Sequence, residues 1–401
     1  MKKIDFVYKM YMISFYLFVF CSVSNASIVY ELNLIGKFGK LIIPILMILL
    51  SFFFNLKIRL SKYLFFMIFL FLLGSFIFAL EKNSFSMFYL KGSFLFSIYI
   101  IYYSLIVKIS FLKYKKLAIY YIFYIVLLAL IFSIIVNFLF SILIGKNIMD
   151  MMDTDSIRVG FGGFYKDRML FSLLMYALFI ITFVIFNLTR KKHYIFLLIL
   201  SIIFIFFTNT RTSLYGIFLF ISLYVFFSFG NKNKYFYVIF LIMNIIMIML
   251  IFQFNINYFT NNYINIVNKI TSGRFFIWSL VYEYLFNKNY IINGLFNLNN
   301  VILKENKFLS YYFEKIDYLN FHNSYLEMIS GGSVIIIIFL IFLLKNIRLA
   351  NVELKSILLS ILFMAMFEGF LVEPHKIISM LFWISIIYLY FLNLNRRSKI
   401  E

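Results

Sequence analysis

The sequence predicts an all-α polytopic membrane protein of about 12 transmembrane helices, on three observations. Hydrophobic residues fill 64% of the 401 positions and charged residues only 13%, too few to assemble a water-facing surface. Apolar runs of about 18 residues or more, the length that crosses a hydrocarbon core of about 30 Å, recur from end to end. These runs are continuous, without the alternation of a lipid-facing barrel strand, so helix is the expected element throughout.

In chain order the predicted spans lie near 6–24, 39–55, 62–80, 92–111, 117–144, 169–188, 195–209, 212–229, 235–254, 325–344, 354–372 and 377–394. The first combines a basic start, an apolar run and Ser24-Asn25-Ala26, which resembles a cleavable signal; it is read as a retained helix. Cys21 is the single cysteine, so no disulfide framework or thiolate metal site is available, and it reads as a small apolar filler.

Charge orients these spans. With the N-terminus in the cytoplasm, the inward connections hold Lys2, Lys3, Lys9; Lys57, Arg59, Lys62; Lys108, Lys113, Lys115, Lys116; Arg190, Lys191, Lys192; Lys232, Lys234; Lys345, Arg348, Lys355; and Arg396, Arg397, Lys399. These are 21 of the 37 basic residues, against three inward acids, Asp5, Glu353 and Glu401. The inward side therefore carries +18 of the net +21, leaving +3 for the outer side and the spans. Every inward loop is short, where a lysine and arginine excess sets orientation. The net charge thus reports topology and gives no case for a nucleic-acid partner.

Two outer connections are longer than the rest. Residues 1–254 hold spans one to nine, with a smaller periplasmic loop at 145–168; residues 255–324 form a large periplasmic loop between spans nine and ten, containing short interfacial helices; residues 325–401 hold spans ten to twelve and a cytoplasmic tail. The smaller loop is acidic at Asp150, Asp153 and Asp155, then switches to Arg158, three glycines, Lys166, Asp167 and Arg168. The large loop sets Phe275, Phe276, Trp278, Leu280, Val281 and Leu285 among Arg274, Glu283 and Asn287, a mixture suited to lying along an interface.

Several polar residues in this setting can carry chemistry. Arg211, in Asn-Thr-Arg211-Thr-Ser, stands between two apolar spans with almost no loop around it. It reads either as a snorkelling or capping residue or as a phosphate clamp, because guanidinium matches phosphate oxygens and keeps its charge in an apolar setting. Arg274 follows Ser272-Gly273 and is expected to open an amphipathic helix whose free N–H groups face the same anion. His322, beside Asn323 and Tyr325 at an expected helix start, is the best acid–base candidate, since a neutral imidazole accepts a proton near pH 7. His193 falls in a basic inward loop and His375 in a tiny outer turn. Asp153-Thr154-Asp155 matches an Asp-x-Asp cation motif, but such matches are common and the loop is solvated. Glu368, expected inside the outer half of span eleven, is an intramembrane carboxylate able to orient His322 or a cation. No phosphate loop, dinucleotide fingerprint, zinc-binding His-Glu-x-x-His or Gly-x-Ser-x-Gly elbow is present.

Asn-Thr-Arg211-Thr-Ser at a span boundary, Ser-Gly-Arg274 followed by Trp278 and Asn293-Gly294, and His322-Asn-Ser-Tyr-Leu followed by Gly331-Gly332 resemble the O-antigen polymerase and O-antigen ligase superfamily of bacterial membrane glycosyltransferases. The resemblance covers about 155–345 in motifs and the entire chain in topology. It implies glycosyl transfer at the periplasmic face of the bacterial inner membrane, with both termini cytoplasmic, from a polyprenyl-pyrophosphate-linked oligosaccharide. By similarity Arg211 and Arg274 bind the pyrophosphate and His322 activates the acceptor hydroxyl, with Arg158, Lys166, Arg168, Asn323, Tyr325 and Glu368 around the substrate. No metal and no cofactor is implied; the partners are the lipid-linked glycan, membrane lipid and a possible chain-length regulator. One departure is Tyr165-Lys166-Asp167-Arg168, where members of the family often carry Asn-Pro, which puts the role of Arg158 in doubt. Polymerase is the first reading, ligase delivering the polymer to lipid A core the second. A lipid-linked glycan flippase or transporter fits less well, since the chain shows no related halves and few charges in mid-span beyond Lys91 and Glu368.

Overall fold

The computed structural model describes residues 2–82, 87–146, 152–153, 160–165, 167–229, 274–287, 292–305 and 321–397. Its architecture is all-α, with two minor exceptions among the described residues: a two-residue antiparallel ladder, β1 (Met152–Asp153) against β2 (Gly160–Phe161), and an isolated antiparallel bridge between Ser27 and Tyr165. In order, the first helices are α1 (Lys2–Ser24), α2 (Tyr30–Phe53), α3 (Lys62–Glu81), α4 (Met87–Tyr114), α5 (Ala118–Leu143), α6 (Arg168–Thr189), α7 (His193–Thr208) and α8 (Arg211–Phe229). After them come α9 (Arg274–Tyr282), α10 (Asn297–Glu305), α11 (Ser324–Gly332), α12 (Ile335–Leu344), α13 (Val352–Met364) and α14 (Ile377–Arg397).

Among the described residues, seven helical stretches are long and apolar enough to cross a membrane, and α7 is a shorter apolar helix. One stretch is the 55-residue run Tyr89–Leu143, divided at Lys115–Leu117, where Lys115 adopts φ 51°. Left-handed residues also end α2, α6 and α7, at or just beyond the C-cap, namely Asn55, Arg190 and Asn209. Asparagine tolerates this conformation because its short polar side chain can bond locally. Helix starts carry side-chain caps: Ser61 accepts from Leu64 N–H, Asp167 from Met169 N–H and Asn351 from Leu354 N–H, each relieving one of the unpaired donors of a first turn.

Four predicted spans need comment. The second helix begins at Tyr30, ahead of the predicted 39, because Glu31, Asn33 and Lys37 interrupt the apolar pattern without interrupting the helix. Span nine lies outside the described residues. Span ten is two helices, broken at Ser333, which has φ 67°; Gly331 and Gly332 precede the break, and glycine is a weak helix former. Span eleven stops at Met364, and 365–376 continues as turns and irregular chain, most of it buried and the rest half-buried. Side chains replace the missing ladder there. Ser324 Oγ donates to Glu368 O at 2.6 Å and accepts from Leu371 N–H, while Ser379 Oγ and Trp383 Nε1 both donate to Leu371 O. Irregular backbone survives away from water only when its polar groups are satisfied in this way.

The core is aromatic. Tyr11, Phe15, Phe18, Tyr99, Tyr102, Tyr103, Tyr176 and Trp383 are fully buried, where α1 packs on α2, α4 and α5, and α14 on α4 and α6. Large apolar side chains such as Phe38, Leu46, Phe52, Phe196 and Phe218 are exposed, as expected of surfaces solvated by lipid. The described part of the predicted large loop folds onto the bundle. Trp278, Val281, Tyr284, Leu298 and Ile302 form a second apolar cluster with Phe78 of α3 and Leu326 and Ile329 of α11. Between these layers threads the segment 292–296: Asn293 N–H donates to Ser330 O, Gly294 N–H to Gly331 O, and Leu295 N–H to Ser93 Oγ. Gly294 has φ 73°, and a Cβ there would lie 1.9 Å from Ser75 Oγ, so both conformation and space require glycine.

Candidate functional site

Irregular segment 365–376 places Glu368 at the meeting point of three motifs. Its carboxylate is 1% exposed, and its backbone carbonyl is held by Ser324 Oγ. Oε1 accepts from Arg274 Nη2 at 2.8 Å and from Thr212 Oγ1 at 3.1 Å. Oε2 faces His322 Nδ1 at 3.5 Å. Arg274 is fixed further by Nη1 donating to Phe367 O at 2.6 Å, a charge-assisted bond to the carbonyl next to its counter-ion.

Local structure aims the imidazole. Asn323 is the N-cap of α11, its Oδ1 accepting from Tyr325 N–H and Leu326 N–H. The chain must turn sharply into that cap, and His322 does so at φ 51°, a left-handed conformation uncommon outside glycine. Trp278 Nε1 donates to Phe321 O at 2.8 Å, so α9, which carries Arg274, also pins the residue before His322. The His322 side chain is 31% exposed and that of Arg274 20%, whereas the carboxylate behind them is sealed. When Nδ1–H donates to Glu368, the basic lone pair of the neutral ring is on Nε2, the partner nitrogen fixing the tautomer. The assembly is a buried orienting carboxylate with a partly exposed cation and imidazole in front of it, a set that can bind an anion and move a proton.

Arg211 is exposed as the first residue of α8, one position before Thr212, whose hydroxyl donates to Glu368. Arg168, first residue of α6, reaches the same turn, with Nη1 3.5 Å from Thr208 O. Thr208 and Thr210 hydroxyls lie 2.9 Å apart across that turn, and Gly160 of β2 presses so closely on Thr208 O that a Cβ would come within 2.3 Å. The two arginines thus flank one turn beside the Glu368 cluster. Arg158 and Lys166 lie outside the described residues.

Asn323 and Tyr325 have structural duties. Asn323 is 2% exposed and spends its carbonyl oxygen on the cap; Tyr325 is buried and donates to Leu362 O at 2.8 Å, tying α11 to α13. Thr212, Ser324 and the carbonyl of Phe367 belong to the site and were missed from sequence, although Thr212 and Ser324 sit inside the motifs around Arg211 and His322. Among the described residues no three His, Cys, Asp or Glu side chains gather closely enough to hold a metal ion; Asp150 and Asp155 lie outside them. No protein-family model, curated protein or solved structure matches this chain.

Proposed function

We propose that the chain is a membrane glycosyltransferase of the polysaccharide polymerase kind, joining polyprenyl-pyrophosphate-linked repeat units at the periplasmic face of the bacterial inner membrane. The observation that carries this reading is the gathering of Thr212, Arg274 and His322 on the one buried carboxylate of Glu368, with Arg211 next in sequence to Thr212. Residues scattered over some 150 positions become one anion-binding and proton-accepting surface.

In this mechanism His322 Nε2 takes the proton of the acceptor hydroxyl as its oxygen attacks the anomeric carbon of the donor. The bond from that carbon to the pyrophosphate oxygen breaks, and the lipid pyrophosphate leaves with the electron pair. Arg211 and Arg274 neutralise the charge that grows on it. Stabilising developing charge by fixed donors is commonly the largest catalytic contribution, and a pyrophosphate needs no acid to protonate it as it departs. Glu368 holds the imidazolium once formed and keeps Arg274 in place. A carboxylate pair of the glycosidase type is not needed.

The test is the surface polysaccharide and carrier-linked glycan of a strain lacking the gene, complemented with wild type or His322→Ala. The polymerase reading expects products with a single repeat on their normal anchor in the deletion and in His322→Ala. Full-length polymer stranded on its lipid carrier, above bare lipid A core, would instead identify a ligase. Normal polysaccharide in the deletion strain contradicts both.

A further inference from the structure

A second polar region lies at the end of segment 365–376, around His375 and Lys376, and the transfer reaction makes no use of it. Between the end of α1, the start of α6 and the 370–378 chain is a cavity of about 70 Å3, walled by Leu173 and Phe370 and closed at one end by Ser22, Asn25, His375 and Lys376. That is space for more than one water-sized group, a water's share of liquid volume being about 30 Å3. Two hydroxyls in this region, Ser22 Oγ and Tyr99 OH, are buried without a hydrogen-bond partner; the Tyr99 ring lies 5.8 Å from that of His375. Orphaned hydroxyls beside a cavity ask for a polar occupant.

Charge says which sign. Lys376 lines the cavity, and Lys40 lies within electrostatic range of it and of Lys37, Lys91 and Glu373. Glu373 pairs with Lys376 at 2.7 Å, and its other oxygen is 3.9 Å from His375 Nε2. Burial, then Lys40 and Lys376, hold the His375 imidazole well below its usual pKa, so it adds no charge at neutral pH. Behind Lys376 lie Glu368, already neutralised by Arg274, and Glu327, 1% exposed. The balance stays positive even with Glu327 ionised. The predicted outer face and spans together carry a net charge of only +3, so three lysines within range of Lys40 are a concentration.

We propose that this lysine face binds the phosphate group of an anionic lipid, with the lipid chain lying against the apolar wall of the cavity and the exposed Phe38 and Ile42 of α2. Lysine binds phosphate as a mobile point charge on an apolar stem that can lie along lipid while its head reaches the interface. The apolar wall is what favours a lipid over free phosphate. This inference stands apart from the glycosyltransferase reading and fails or survives without it.

The test uses the purified full-length protein in detergent, with its unfolding temperature followed during separate titrations of phosphatidylglycerol, phosphatidylcholine and inorganic phosphate. Phosphatidylglycerol is expected to raise the midpoint saturably, the other two not. Each lysine near a charged lipid surface is worth about 1 kcal/mol, so Lys40→Gln and the fully surface-placed Lys91→Gln should each weaken phosphatidylglycerol about fivefold, and Lys40→Arg should restore it. An equal response to phosphatidylcholine or to inorganic phosphate, or unchanged phosphatidylglycerol affinity in both glutamine variants, would overturn the assignment.

Discussion

Arg274 and Glu368 form an ion pair at 2.8 Å across 94 positions of sequence, its carboxylate sealed from solvent and its guanidinium one-fifth exposed. Such a pair is a joint between the loop segment that carries α9 and the irregular chain after α13. The acid is enclosed and the base looks out, so the pair presents a fixed, partly exposed cation while hiding what fixes it.

Removing the acid alone should therefore be worse than removing both. Glu368→Gln leaves Arg274 without its counter-charge, and breaking a buried pair costs about 3–5 kcal/mol, with the lower end expected because Arg274 is partly exposed. The combined change Glu368→Leu with Arg274→Met should regain much of that stability but no transfer activity. Thermal unfolding of the wild type, Glu368→Gln and the double variant, compared directly, checks this.

His322→Ala should lower transfer by about 10²–10⁴, the usual contribution of a positioned base. Folding is expected to persist, since the cap by Asn323 and the Trp278 bond to Phe321 O do not involve the imidazole. Equal membrane levels on an immunoblot with collapsed polymer length is the expected pair of results.

Arg274→Lys should fail almost as badly as Arg274→Ala. Guanidinium spans Phe367 O and Glu368 Oε1 with two nitrogens at once, and an ammonium point charge cannot hold both while facing an anion. Polymer length in complemented strains measures it; full rescue by lysine would assign Arg274 a purely charge-based role.

Gly294→Ala should destabilise without touching the chemistry. The residue sits at φ 73° with Ser75 where a Cβ would go, and strain of this kind costs about 1–3 kcal/mol. A lowered unfolding temperature is the readout, with residual activity in the folded fraction unchanged.

These residues also show how far the sequence could be read. Long apolar runs announce helices α1 to α8 because lipid-solvated helices need little else, and of the side chains the motifs named, Arg274 and His322 come together on Glu368 while Arg211 stands one position before Thr212. The breaks at Ser333 and after Met364 left no mark: hydropathy sees only that 325–344 and 354–372 are apolar. What holds the chain out of a helix after Met364 is long-range, Ser324 and Trp383 satisfying backbone groups that a helix would have paired. Glu368 was legible as an unusual intramembrane acid, but its placement outside a helix was not. Glu31, Asn33 and Lys37 likewise shortened the predicted second span, being polar in a window while belonging to a helix throughout.

The central claim is that the Glu368 cluster performs glycosyl transfer, and reconstitution tests it most directly. Purified protein in liposomes, given the polyprenyl-pyrophosphate-linked repeat, should extend it into a ladder of products. With His322→Ala of equal unfolding temperature, the account predicts that the ladder disappears and the single repeat remains. A ladder formed at the wild-type rate by His322→Ala would contradict it.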